Sequence, residues 1–299
     1  MAKSPPEKPL KKPELPPVSK LPAYSELHCN SNFSFLRGAS FPEELVERAD
    51  ELGYQAIAIT DECSFSGVVR AHMEAKKRSI KLIIGSEFMM EEACSLVLLA
   101  CNRKGYGQLS HLITCARREA VKGKYRIDRA MVEANLPDQC IALWRPELGQ
   151  APEHIACQAV WLQRQFGGNL WIAVELLLHG DDRRKLKRLQ SLSRQFSIPL
   201  CASGGVYMHS PQRRILQDTV SAIRLGKTLD ELGFDGESNG QRHLRSRQQL
   251  SKLYPRELLR ATMDIAARCN FSLEELRYEY PRELVPSEYT PHGWLRELT

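Results

Sequence analysis

His28 and Asn30 lie two residues apart in the stretch SELHCNSNFSFL (25–36), a spacing that puts both side chains on one face of a strand. The run 25–29 reads as a short, buried first strand, with Asn30 and Ser31 where it ends. In an α/β domain, side chains at the C-terminal ends of parallel strands face the mouth where chemistry is done. Two His at this spacing would make a metal-binding pair, but here there is one. Further donors follow apolar runs in the same way: Asp61 and Glu62 after AIAIT, Glu87 in KLIIGSEF, and His179 after LWIAVEL. Mixed His and carboxylate donors suit Zn, Mn or Fe. Metal-dependent phosphoester hydrolysis uses two or more close ions, each with several protein ligands. Five candidates could hold one ion and fall short of a cluster. Each also has an ordinary alternative. A strand-end His can be a hydrogen-bonded structural residue, an Asp-Glu pair can cap the next helix, and Glu87 can pair with a Lys or Arg.

The elements that must position these residues alternate in type. Residues 42–53 predict a helix, with Pro42 in the first turn, acidic residues after it, Gly53 as the cap, and Leu45, Val46, Ala49 and Leu52 as its apolar face. Strands are expected at 56–60, 81–88, 95–100, 140–144, 170–176 and 198–203, with helices at 66–78, within 105–118, near 155–166 and at 183–196. Repeated βα units imply a parallel sheet or barrel with right-handed crossovers. About seven strands before residue 205 favour a (β/α) barrel over an open sheet. Past residue 210 the strands stop. Helices are expected at 213–225, 246–253 and 255–269, with a polar loop over 226–240, as a smaller helical appendage covering 211–299.

Composition sets the bounds. The chain has 299 residues, 42% hydrophobic and 26% charged, which marks a soluble globular protein. No apolar run approaches the ~20 residues of a membrane helix, and residues 1–20 carry no signal-peptide apolar region. The expected location is the cytoplasm, with no membrane partner. Residues 1–20 hold six Pro and five Lys and read as a disordered tail. Nine single Cys form no CxxC pair, which argues against a zinc ribbon. The net charge of +6 permits nucleic acid as a partner without requiring it. There is no Walker A loop, no GxGxxG and no GxSxG.

Several long segments, SNFSFLRGAS (31–40), FPEELVERADELGYQAIAITDE (41–62), LQDTVSAIRLGKTLDELG (216–233) and LRYEYPRELVP (276–286), resemble one family in order and spacing. Over about 24–299 the chain is similar to the PHP (polymerase and histidinol phosphatase) domain of bacterial C-family DNA polymerases, in particular their error-prone, damage-inducible branch. The resemblance implies a PHP-type (β/α)7-like barrel. It also implies a metal site built from a first-strand His-x-His, an Asp-His, a Glu, a Cys or His, another His, and a final Asp-x-His. Carried over residue by residue, these positions are His28 and Asn30, Asp61 and Glu62, Glu87, neither ligand near 143–145, His179, and Gly205 and Tyr207. Four of the nine keep a family ligand. Glu62 could still bind a metal; Gly205 and Tyr207 cannot. Restoring the family residues at Asn30, Glu62, Gly205 and Tyr207 together is expected to raise metal affinity.

The expectation is therefore a structural PHP domain with a remnant metal site at His28, Asp61, Glu62, Glu87 and His179, no catalytic residue and no cofactor of its own. Zn or Mn would bind only if the remnant site still works. Mg, and polymerisation itself, would belong to a polymerase core in the same polypeptide. DNA would be reached through that parent protein, with Arg183, Arg184, Lys185, Arg213 and Arg214 as DNA-proximal candidates beside Lys187 and Arg188. Other translesion proteins and a sliding clamp are the further partners implied. The rivals are an active metal-dependent phosphoesterase or 3′–5′ exonuclease, and a free-standing repair adaptor. Trp294, Leu295 and Leu298 near the end of the chain read as an uncovered apolar helix face that a longer polypeptide would bury.

Overall fold

The structure, a computed structural model, describes residues 21–276, 285–286 and 288–299. The tail at 1–20 and most of the segment 276–286 singled out above lie outside the described residues. The strands are β1 Ser25–Glu26, β2 Ala56–Ile59, β3 Lys81–Met89, β4 Ser95–Ala100, β5 Cys140–Arg145, β6 Leu170–Val174 and β7 Leu200–Ala202. The helices are α1 Pro42–Glu51, α2 Val68–Ala75, α3 Arg103–Arg118, α4 Arg129–Ala134, α5 Pro152–Phe166, α6 Asp182–Phe196, α7 Arg214–Leu225, α8 Leu229–Leu232, α9 Arg247–Leu253, α10 Arg256–Arg268 and α11 Pro291–Leu298.

The seven strands pair in chain order, as the (β/α)7-like barrel requires. The sheet is not wholly parallel, however. β4 runs antiparallel to both β3 and β5, while β1–β2–β3 and β5–β6–β7 are parallel. The cause is the link between β3 and β4. A parallel return needs a crossover of about a dozen residues, and only residues 90–94 are available. They close a tight hairpin in which Met90 N–H donates to the Cys94 carbonyl at 2.9 Å and Ala93 takes φ +50°.

Inward side chains alternate along each strand. Leu27, Ala56, Ala58, Ile83, Val97, Leu99, Ile141, Leu143, Ala173 and Cys201 fill the barrel. The opposite faces, including Ile57, Ile59, Phe88, Leu96, Leu98, Trp144, Ile172 and Val174, pack under the surrounding helices. The interior is narrow. A Cβ on inward-facing Gly85 would lie 2.6 Å from the Leu98 carbonyl oxygen, so a side chain there has no room.

The first strand is shorter than the sequence suggests. Glu26 is buried, and its carboxylate accepts from Leu27 N and His28 N at 3.1 Å and from Gly204 N at 3.0 Å, which interrupts the ladder after two residues. Pairing resumes at Cys29 and Val206, with Asn30 N donating to Val206 O at 2.8 Å and Val206 N to His28 O at 3.0 Å. This closes the seam between first and last strands at the mouth. At the base the seam is closed by α10, whose Ile265 and Ala266 enter the barrel interior with Cys269 just beyond it. Leu244, Leu250, Tyr254, Leu258 and Leu259 continue the outer core, so the hydrophobic core runs on past residue 210. The polar stretch 226–240 is not all loop: Thr228 and Glu231 form a reciprocal cap for α8. α11 has no buried residue, and its Leu295 and Leu298 are exposed, while Trp294 packs on Tyr289 at 5.1 Å.

Candidate functional site

Inward alternation carries four strand ends to the mouth. Leu143 is followed two residues on by Arg145, Ala173 by Glu175 and Gly85 by Glu87, while the bend after Glu26 turns His28 to meet them. His28 is fully buried. Its Nδ1 is 3.0 Å from Glu175 Oε1 and its Nε2 3.3 Å from Glu87 Oε2. Asn30 stands on the same face, as the i, i+2 spacing predicts, and its amide donates to Glu87 Oε2 at 2.6 Å. Arg145 lies between the two carboxylates. Its Nη1 pairs with Glu87, and its Nε is 2.8 Å from Glu175 Oε1. Arg242, from the segment before α9, approaches from the other side, with Nη1 3.3 Å from Glu175 Oε2 and Nε 2.9 Å from Glu237.

The protonation states follow from this packing. Burial pushes the Glu87 and Glu175 carboxyls up. The neighbouring His28 and Arg145 at Glu87, and Arg145, His28 and Arg242 at Glu175, outweigh it and hold both well below the usual carboxylate range. Burial works against the His28 imidazolium and Arg145 repels it, yet Glu87 and Glu175 raise its pKa overall. The site is thus a buried, internally neutralised charge cluster.

Gly205 and Tyr207 both contact Arg242. Gly205 has φ +55°, and its carbonyl accepts from Arg242 Nη1 at 3.0 Å. The Tyr207 ring lies under the Arg242 guanidinium at 5.0 Å. A Cβ at Gly205 would come 2.6 Å from Arg242 Nη1 and 2.7 Å from Glu175 Cδ. The gain in metal affinity expected on restoring family residues at Asn30, Glu62, Gly205 and Tyr207 has to displace Arg145 and Arg242 from the two carboxylates.

Other expected ligands stand apart. Asp61 is tied to a loop: its carboxylate accepts from Ser31 N and Oγ at 2.8 Å and from Ser34 N at 3.1 Å and Oγ at 2.7 Å. Burial raises its pKa against those hydrogen bonds. Glu62 pairs with Arg37 at 2.5 Å and accepts from the Tyr125 hydroxyl at 2.8 Å. His179 is exposed on the loop after β6, four residues past Glu175. The inward donor of that strand end is Glu175, and His179 stands outside the cluster. The surface arginines divide as well. Arg213 pairs with Glu44, and Arg214 with Asp218 at 2.8 Å, so both are committed within the fold. Arg184, Lys185 and Arg188 of α6 line a cavity of about 300 Å³ beside Arg145, Glu175 and Arg242, with Arg184 3.6 Å from Asp181 and Arg188 donating to the Leu148 carbonyl at 2.7 Å, and Arg183 lies on the outer surface of the same helix with Lys187.

The donor set does not fit a divalent ion. Asn30 turns an amide N–H toward Glu87, and a guanidinium already fills the space between the carboxylates. Among the described residues no group of three or more His, Cys, Asp and Glu has the geometry of a metal site. Sequence reasoning passed over Arg145 and Arg242 because it searched strand ends for metal-ligand types, and over Glu175 because it took His179 as the donor of that strand end. A search of every strand end for any ionisable residue finds Arg145 and Glu175.

Residues 26–166 match the PHP domain family. Over 92% of its length the chain is 55% identical to the error-prone DNA polymerase of Methylococcus capsulatus, and over 93% it is 54% identical to that of Dechloromonas aromatica, so it is a homologue of the error-prone DNA polymerases. The chain spans about a quarter of the length of these relatives, 26% and 27%. Among solved structures, an amidohydrolase from Chromobacterium violaceum aligns with 62% of this chain and 88% of its own, at 16% identity and a TM-score of 0.45. No helix among the described residues is long and apolar enough to cross a membrane.

Proposed function

We propose that this chain is the PHP module of an error-prone DNA polymerase, kept as a structural part in which an arginine–carboxylate cluster stands where the family's metals would bind. The observation that carries this reading is Arg145, a fixed organic cation between Glu87 and Glu175. It neutralises the two buried carboxylates that an ion would need, so the fold is held without a metal. DNA synthesis, with its Mg, would reside in a part of the parent polypeptide that this chain does not span, since the chain matches only 26% of its relative's length. Action at damaged DNA, a cytoplasmic location, a sliding clamp and other translesion proteins as partners belong to the same proposal. Arg184 and Lys185, on the rim of the mouth cavity, are the DNA-proximal residues it retains.

The reading is supported at a second place. α7 turns Gln217 and Ser221 inward and Ile215 and Ile223 outward, 75% and 59% exposed, a face suited to the rest of a longer polypeptide. The deciding experiment is metal analysis of the purified chain with a single-stranded DNA exonuclease assay in Mn and Zn. The expected result is no bound metal and no degradation. A metal-dependent activity that disappears in His28→Ala would instead establish the phosphoesterase or exonuclease.

A further inference from the structure

The cavity beside the arginine cluster is lined from three parts of the fold. Arg145 and Arg242 belong to the mouth, Ser95 opens β4 after the hairpin link, and Arg184, Lys185 and Arg188 come from α6. Its volume, about 300 Å³, is at the small end for ligand pockets. Five cationic side chains meet three carboxylates there, Glu147, Glu175 and Asp181. Glu175 is engaged within the fold by His28, Arg145 and Arg242, and Asp181 lies 3.6 Å from Arg184. Glu147 is exposed and accepts from Gln150 at 3.1 Å. Lys185 and Arg188, three apart, share a face of α6. Arg188 donates to an uncharged carbonyl, that of Leu148. Lys185 is half-buried, and no carboxylate among the described residues pairs with it. The buried Ser95 hydroxyl accepts from Arg145 Nη1 at 3.0 Å, and its own proton has no acceptor among the described residues.

We propose that this cavity binds a phosphate dianion, free or at the end of a monoester, with no metal ion. Lys185, Arg188 and the Ser95 hydroxyl donate to its oxygens, and Arg145 and Arg242 supply positive charge behind them. The inference rests on the metal-free reading of the mouth. The donors select the ligand. Lys185 and Arg188 are two cations without a carboxylate, which matches the nearly two negative charges of a phosphate monoester at neutral pH and exceeds the single charge of a phosphodiester. Guanidinium, ammonium and hydroxyl donors brought by separate elements suit a tetrahedral oxyanion, whereas one guanidinium fork is enough for a flat carboxylate. Leu148, Ala173 and Leu189 line the same cavity and give the organic part of an ester an apolar surface. The site holds its ligand and makes or breaks no bond.

The test is titration calorimetry of the whole chain at neutral pH and constant ionic strength, in EDTA, with inorganic phosphate, thymidine monophosphate and unphosphorylated thymidine. The expected result is saturable binding of the two phosphate-bearing probes at one site per chain, and none of thymidine. Tighter binding of the nucleotide assigns the monoester as the ligand, and tighter binding of inorganic phosphate assigns the free ion. Lys185→Gln with Arg188→Gln should weaken binding roughly tenfold or more, while Arg183→Gln with Lys187→Gln, on the outer surface of the same helix, should leave it unchanged. Should the first pair fail to fold, the unaltered chain serves: phosphate should protect Lys185 from acetylation and leave Lys187 reactive. Equal losses in the two pairs, equal protection of the two lysines, or equal binding of thymidine would overturn the site. Absence of binding in a chain shown to hold no metal would overturn the site alone. Phosphate binding that needs added Mn or Zn would overturn the metal-free reading with it.

Discussion

Arg145 is ion-paired with two buried carboxylates, Glu87 and Glu175. Removing its side chain leaves Glu87 and Glu175 buried beside a half-compensating His28 and Arg242, and breaking a buried pair from one side costs about 3–5 kcal/mol. Arg145→Ala should therefore lower stability by that order in a urea titration, and Arg145→Lys should recover only part, since an ammonium lacks the fork that spans both acids. The same cluster sets a pH dependence with two opposite signs. Glu87 and Glu175 are depressed, so their contribution is complete above the ordinary carboxylate value near 4.5 and is lost as pH falls toward their folded values. His28 is raised above 6.5, so its contribution is complete below that value and is lost as pH rises through its folded pKa. Thermal melts should thus decline on the alkaline side of 6.5, and His28→Gln should abolish that decline. A His28→Gln profile parallel to the unaltered chain's would contradict the coupling. At this scale His28 and Glu87 were legible, since a polar residue ending an apolar run declares its position. Arg145 was not, because arginine enters no ligand search, and the sequence does not say that a cation in the chain has taken the place of one from solution.

At the scale of elements, periodicity found the strands and most helices but not their directions or coverings. β4 was placed within its observed bounds, and its reversal followed from a link of five residues, 90–94, too short to cross over. The short α4 and α8, of six and four residues, are one to two turns held by Asp128 and Thr228 caps, too brief for an apolar repeat to show. The helix at 213–225 was expected without an assigned apolar face, and the structure leaves Ile215 and Ile223 exposed. The double change Ile215→Glu with Ile223→Lys should alter the stability of this chain by no more than about 0.5 kcal/mol in a urea titration. If the proposed longer polypeptide covers this face, the same change there should lower the melting temperature. A large destabilisation of the 299-residue chain would mean that the face is already covered.

For the whole molecule, seven strands in chain order could be read from the alternation of elements, while the way the barrel is plugged could not. A helical pattern reveals that α10 has an apolar face but not that Ile265 and Ala266 enter the barrel. Because that core is continuous, the protein should melt in a single calorimetric transition, and a chain ended after Ser246 should fail to give one. Two separable transitions would show that the barrel stands without α9 and α10. The same closure has a temporal side. Ser25 of the first strand gives its N–H to Thr262 of α10, 237 residues later, at 3.2 Å. A ribosome adding about 5–20 residues per second needs roughly 10–50 s to cover that distance. Throughout that interval the nascent barrel has an open base and an unsealed edge, so its folding is timed by translation, and its exposure to chaperones and to misassembly ends only when α10 emerges.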